Sequence, residues 1–332
     1  MYLQHFGLDK TPFNITPDTR LFFEGSDRGA LLSLLTYAVE QGEGITKVVG
    51  EVGTGKTMLC RMLPTRSQDN IQWLYLSTPS LTPDQTVLAI AHEMGLTIDS
   101  NLTKFEHIAL IQQALLNLHL ENKRVVLLVE EAQAMSLETL EEIRLLSNLE
   151  TDEHKLLQII LFGQPELDEK LKDPQIRQLR ERIIHSINID SLSLNDVHNY
   201  LNFRMRSVGY TGPDIFNKKI AKTILKYSFG LTRRVNLIAD KILLMAFNEN
   251  RHNITKRDVK LAAMDHDFYK KTFSITTAFM IMFFLALSLA FASIFLKPYI
   301  TLQNPSVDAL LSIETTPQST LPDAIVLAEE SL

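Results

Sequence analysis

Eight residues, Gly50 to Thr57, read "GEVGTGKT". The pattern G-x-x-x-x-G-K-[ST] suits one task, the holding of a polyphosphate. Its glycines let successive backbone N–H groups wrap a phosphate, and a following helix adds its positive end. Lys56 would reach the outer phosphates, and Thr57 would offer its hydroxyl to Mg²⁺. The contacting set is Gly50, Glu51, Val52, Gly53, Thr54, Gly55, Lys56, Thr57 and Met58. A second group lies in "VVLLVEEAQ", where an apolar run ends on Glu130 and Glu131. At such a strand end the first carboxylate holds Mg²⁺ and the second polarises an attacking water. Carboxylate oxygens suit Mg²⁺. Glu130, however, is one methylene longer than the Asp usual there, so it must fold back or the metal must shift. Gln164, in "FGQPEL", follows another apolar run, where an amide can orient the water or sense the phosphate. Arg180 and Arg182, in "RQLRERI", are candidates to neutralise developing charge from a neighbouring subunit. Arg233, in "GLTRRVN", opens a helix and would fold over the phosphates. The expected ligands are ATP or ADP with Mg²⁺.

These groups can cooperate only if strands and helices bring their loops together. Residues 45–49, "ITKVV", read as a buried strand that runs into the Gly-rich turn, with a helix over about 56–63. Further strands fit 71–76, 125–129, 156–162 and 183–189. Helices fit 83–94, 104–120 and 137–149. Thr82, Pro83 and Asp84 supply an N-cap, a proline at the first helical position and an acid in the first turn. Strands alternating with helices predict a parallel sheet covered on both faces, an α/β P-loop domain over residues 1–190. Beyond it the pattern is helical only, with helices over about 193–208, 215–227, 233–248 and 256–268. Ser193 with Asp196 and Thr255 with Asp258 read as capping boxes. Residues 191–270 are expected to form a helical lid subdomain.

The 332 residues are 45% apolar with a formal net charge of −6. That supports a sizeable core and argues against a nucleic-acid surface over the whole molecule. The single cysteine, Cys60, excludes an internal disulfide framework and reads as core packing. "MYLQHFGLDK" lacks the pattern of a cleavable secretory signal. Residues 274–296, "SITTAFMIMFFLALSLAFASIFL", contain no charged residue. At about 1.5 Å per residue they would reach about 35 Å as a helix, enough to span a bilayer core. Lys256, Arg257, Lys260, Lys270 and Lys271 precede this stretch; one base and five acids follow it. The basic side stays in the cytoplasm. The expectation is a bacterial inner-membrane protein with its ATPase domain cytoplasmic and a short, disordered periplasmic tail over 297–332.

Together these motifs resemble the ExeA/GspA-like family of bacterial AAA+ ATPases, over about residues 2–268. The resemblance begins with "FGLDKTPFNITPDTRLFF", residues 6–23, and continues through "GEVGTGKT", "EEAQ", "FGQPEL", "QLRERI" and "GLTRRVN". In AAA+ proteins such an opening segment borders the adenine, which implies Pro12 and Phe13 as base neighbours. The resemblance also implies that Arg233 is the sensor-2 arginine and that subunits form a ring or partial ring. Two departures stand out: Glu130 where the family usually has Asp, and Thr232 where it usually has Pro. Members of the ExeA type carry a peptidoglycan-binding domain beyond the membrane helix, and 36 residues follow Leu296 here. That makes an MshM-like branch, of mannose-sensitive haemagglutinin (MSHA) pilus biogenesis, the closer expectation, with pilus or secretion-system inner-membrane proteins as partners. Two other classes stay open: a nucleotide switch or scaffold with little turnover, and a transposition-type DNA-binding ATPase. Without the tail the net charge is −2, hardly that of a DNA-wrapping surface.

Overall fold

Apolar runs buried on both faces set the centre of the fold. In the computed structural model, residues 2–266 are described, apart from 43, 79, 98, 100 and 101, together with 268, 286 and 288. The chain falls into two compact units, Met1–Tyr269 and Lys270–Leu332. In the first, α1 (Tyr2–Phe6) and α2 (Arg28–Gln41) precede the sheet. Then come β1 (Ile45–Gly50), α3 (Lys56–Arg66), β2 (Ile71–Leu76), α4 (Pro83–Glu93), α5 (Lys104–Leu120) and β3 (Arg124–Val129). They are followed by α6 (Leu137–Leu146), β4 (Leu157–Gly163), α7 (Glu166–Lys170), α8 (Arg177–Glu181) and β5 (Ile183–Ile189). Four helices complete it: α9 (Leu194–Arg206), α10 (Lys218–Ser228), α11 (Thr232–Asn248) and α12 (Lys256–Asp265).

The five strands are all parallel, in the order β2-β3-β4-β1-β5. β3 buries Val125 to Val129 and β4 buries all seven residues. Alternate side chains go to opposite faces. Val125, Leu127 and Val129 meet residues of α4, α5 and α6, whereas Val126 and Leu128 meet residues of α2 and α3. This two-sided burial explains why the strands read as continuous apolar runs.

A third core gathers α9–α12, and the opening residues join it: Tyr2, Phe6, Leu8, Phe13 and Leu21 pack there. Asp9 N–H donates to Val208 C=O at 2.9 Å, and the buried Arg204 donates from Nε to Pro12 C=O at 2.5 Å. Residues 2–21 thus fold with the lid helices, although they are distant from them in sequence.

Side-chain caps set the starts of α4, α5, α6, α9, α10 and α12. Thr82, Thr103, Ser193 and Thr255 each complete a capping box. The helix expected from 215 starts instead at Lys218, because Asn217 accepts from the N–H groups of Lys219 and Ile220. The helix expected to reach 149 ends at Leu146, and the one expected to reach 268 ends at Asp265. Sequence patterning gives no element for residues 24–44, yet α2 lies there. It begins at a left-handed corner, Ser26 and Asp27 at φ 55 and 58, with no side-chain cap, so the usual start signal is missing. Among the described residues no helix is long and apolar enough to cross a membrane. The span expected over 274–296 lies outside the described residues except for 286 and 288, and the tail over 297–332 lies wholly outside them.

The start of α12 yields a test. Asp258 accepts from Arg251 at 3.1 and 3.2 Å and from Thr255 N–H at 2.8 Å. Burial would raise its carboxyl, but these donors outweigh burial and hold it below the usual range. A depressed folded-state value adds stability above the unfolded value, and that stability disappears as pH falls through the folded one. Asp258→Asn should cost about 2 kcal/mol near pH 7. In urea unfolding of residues 1–269, that deficit should shrink as pH falls towards about 3. A deficit independent of pH would show that the carboxylate charge is not the stabilising element.

Candidate functional site

The end of β1 turns sharply into α3 through the Gly-rich loop. Gly53 and Gly55 take φ 84 and 108, a region open to glycine at little cost. Gly50 is required for another reason: a Cβ there would lie 2.8 Å from Thr54 Oγ1 and 3.0 Å from Ile189 O. Thr54 is tucked beneath the loop, its hydroxyl donating to Glu51 C=O at 2.9 Å. Lys56 is also buried, and its ammonium donates to the carbonyls of Gly50 and Glu51 at 2.6 and 3.0 Å. Burial pushes that ammonium down from its usual value, against the pull of Glu131 and the other nearby carboxylates. Met58 and Leu59 N–H donate to Gly55 C=O at 3.0 and 3.1 Å, and the N–H groups before them, which have no carbonyl four residues back in the helix, form the positive end of a phosphate cradle.

Two strands away, β3 delivers the carboxylates. Thr57 Oγ1 donates to Glu130 Oε2 at 2.8 Å, so the extra methylene of Glu130 does not separate it from the loop. Glu131 has φ 54, a left-handed backbone that costs an L-residue about 1–2 kcal/mol. Its Oε2 accepts from Gln133 Nε2 at 2.7 Å and from Gln164 Nε2 at 2.8 Å. Burial would raise this carboxyl, but the two amides and the Lys56 charge outweigh burial and hold it below its usual range. Gln133 also accepts from Gln164 N–H at 3.0 Å, closing the network across β3 and β4. Among the described residues no cluster of three or more His, Cys, Asp or Glu could hold a metal. The donor set still fits Mg²⁺ bound with a nucleotide: one hydroxyl and one carboxylate oxygen side by side, the rest of the shell left to phosphates and water.

The lid closes the other side. Arg233 N–H donates to Gly53 C=O at 3.0 Å, and a Cβ on Gly53 would sit 2.8 Å from Arg233 Cβ. A cleft of about 270 Å³ lies between the loop, α9, α11 and the opening segment, and Val52 to Met58, Glu131 and Arg233 line it. Pro12 and Phe13 do not. Phe13 is turned into the lid core, edge-on to Phe216 at 5.6 Å, and Pro12 is held by Arg204. Asn14, Ile15, Thr16 and Pro17 line the cleft instead. The resemblance implied Pro12 and Phe13 as base neighbours, but Phe13 gains more apolar contact in the lid core, and packing takes it inward.

Two further residues escape the sequence reading. Gln133 is visible only as a polar residue two positions after Glu131. Arg28, 7% exposed, donates to Thr54 C=O at 3.0 Å and Asp190 C=O at 3.3 Å, tying α2, the loop and the end of β5 together. Arg180 is exposed, and Arg182 borders a separate cleft of about 940 Å³ with Glu150 and His154. Arg182 precedes β5, whereas Ile189 at the other end of β5 pairs with Gly50. The strand separates them by roughly 20 Å, so Arg182 does not reach the cradle of its own chain.

The family described as AAA domain matches residues 39–171. Over 265 residues the chain is 40% identical to general secretion pathway protein A of Aeromonas hydrophila, which covers 80% of this chain and 48% of that protein. The chain thus spans about half the length of that curated relative. Cdc6p from Pyrobaculum aerophilum aligns with a TM-score of 0.60 at 17% identity, over 75% of this chain and 71% of that one. The Aeropyrum pernix ORC1 protein, solved in complex with DNA, aligns at 0.59 and 14% identity, over 77% and 69%. At such identities these two show likeness of fold alone. By its AAA domain, its phosphate cradle and its similarity to general secretion pathway protein A, the chain belongs to the ExeA/GspA-like AAA+ P-loop family.

Proposed function

We propose that this protein binds ATP with Mg²⁺ and hydrolyses it to support assembly of a type II secretion system or an MSHA-like type IV pilus. One observation carries the chemistry: the hydrogen bond from Thr57 to Glu130, which joins the loop to the acidic strand end beside an amide-held Glu131. Mg²⁺, when bound with the nucleotide, would supply charge neutralisation at the phosphates. Thr57 and Glu130 are the residues to hold it. Glu131 would accept a proton from the attacking water, and Gln164 and Gln133 orient its carboxylate. Arg233, anchored at Gly53, would report on the phosphates to the lid. The secretion role rests on the relative's name and identity. The pilus alternative rests on resemblance. Residues 274–296 are proposed as a single inner-membrane span, with the basic flank and residues 1–190 and 191–270, as AAA+ domain and lid, on the cytoplasmic side.

The test is Mg²⁺-dependent ATP hydrolysis by residues 1–269 and by the full chain. Lys56→Ala should abolish nucleotide binding, while Glu131→Gln should keep binding and lower turnover by about a hundredfold or more. Wild type as silent as Lys56→Ala, with Glu130→Asp active, would make the protein a nucleotide switch. Gln133→Ala and Gln164→Ala should each lower turnover by about tenfold. Each removes a donor that lowers the Glu131 pKa, so the acid limb of the pH–rate profile should move to higher pH. An unmoved limb would detach both amides from Glu131.

A homo-oligomer completed in trans gives a separate expectation. Arg182→Ala should be inactive alone. Mixed with Lys56→Ala, whose Arg182 is intact, it should regain part of its activity. Without recovery on mixing, Arg182 is not a residue donated to a neighbour.

A further inference from the structure

Residues 218–268 carry eleven Lys or Arg against five Asp or Glu, in a chain whose net charge is −6. The described acids of this stretch are engaged: Asp240 with Tyr2, Glu249 and Asp258 with Arg251, and Asp265 with Lys241. Lys222 and Lys226 on α10 and Arg257 on α12 are exposed and form no salt bridge among the described residues. α10 packs against α12, and both bury their inner faces in one core, Ile220 and Ile224 with Val259 and Ala263. Their cationic residues therefore face outward.

The outer face is also apolar in a way water does not favour. Along α12, Arg257, Lys260, Leu261 and Met264 follow the spacing of one helical stripe, and Leu261 and Met264 are 42% and 47% exposed. Phe229, which ends α10, is 62% exposed and held at φ 55, where a bulky residue is strained. The Arg234 guanidinium lies 5.6 Å from the Phe229 ring and 5.0 Å from the Phe268 ring, so the ends of α10 and α12 converge there. Lys270, Lys271 and the uncharged stretch 274–296 follow directly in sequence.

We infer that the outer faces of α10 and α12, with Phe229 at their converging ends, dock on an anionic phospholipid surface. Basic side chains interleaved with partly exposed Leu, Met and Phe fit an interface with headgroups outside and acyl chains beneath. The position of α12, which ends at Asp265 shortly before the uncharged stretch, selects lipid over nucleic acid. That selection rests on reading 274–296 as a membrane span. Arg234 adjoins Arg233, whose N–H is bonded to Gly53, so the first turn of α11 stands between the nucleotide cleft and the docking face.

Vesicle flotation tests both readings separately. Residues 1–269 form one compact unit with its own closed cores and serve as the anchor-free piece. They should float with phosphatidylcholine–phosphatidylglycerol vesicles, not with phosphatidylcholine alone, and binding should weaken as salt rises. Replacing Lys222, Lys226 and Arg257 together by Gln should lower partitioning about a hundredfold, at about fivefold per charge. Phe229→Asn, which suits the left-handed corner better, should lower it about tenfold without lowering stability. The docking inference is overturned if residues 1–269 do not float with anionic vesicles, if these variants float like wild type, or if duplex DNA competes the protein off through the same side chains. Full chain floating on both vesicle types supports the membrane span; full chain floating on neither overturns that reading.

Discussion

The all-parallel order β2-β3-β4-β1-β5 is the constraint on which the site depends. It places β4 between the strand that carries the Gly-rich loop and the strand that ends in two carboxylates. Parallel strands present their carboxyl ends on one edge, so Gly50, Glu130 and Gln164 emerge together although they are far apart in the chain. With β4 as spacer, Thr57 can touch Glu130 at 2.8 Å while Gln164 reaches Glu131 at 2.8 Å. A different neighbour for β1 would leave the same residue types with nothing to act on. The same geometry carries the start of β5, and Arg182 with it, to the opposite edge.

Within that edge, opposing electrostatic effects are balanced by hydrogen bonds. Glu131 is partly removed from water, which alone would favour its neutral form. Two side-chain amides and the nearby ammonium reverse that preference, so the group stays a carboxylate able to accept a proton. Its left-handed backbone is a cost that the surrounding bonds sustain, as strained residues at reactive sites often require. Lys56 is in the converse position: buried, lowered by desolvation, and held by two carbonyls of its own loop.

The lid is bound into this arrangement from both ends of the sequence. Residues 2–21 supply part of its core, and α11 supplies the backbone donor that meets Gly53. The cleft is therefore walled by segments some two hundred residues apart. Arg28 adds a buried guanidinium fork beneath the loop, joining Thr54 to Asp190.

The sequence by itself determined the loop, the strand ends and the starts of the helices with capping boxes, α4, α5, α9 and α12. These depend on local chemistry: glycine at positive φ, carboxylates after an apolar run, a hydroxyl three residues before an acid or amide. It also supplied the alternation that demands a parallel sheet. Tertiary structure alone decided strand order, since apolar strands buried on both faces carry no mark of their neighbours. It alone sent Phe13 into the lid core and brought Asn14 to Pro17 to the cleft, because an aromatic beside a proline suits either environment. Gln133 and Arg28 were illegible for the same reason: each acts through partners that only the packed sheet and α2 bring within reach.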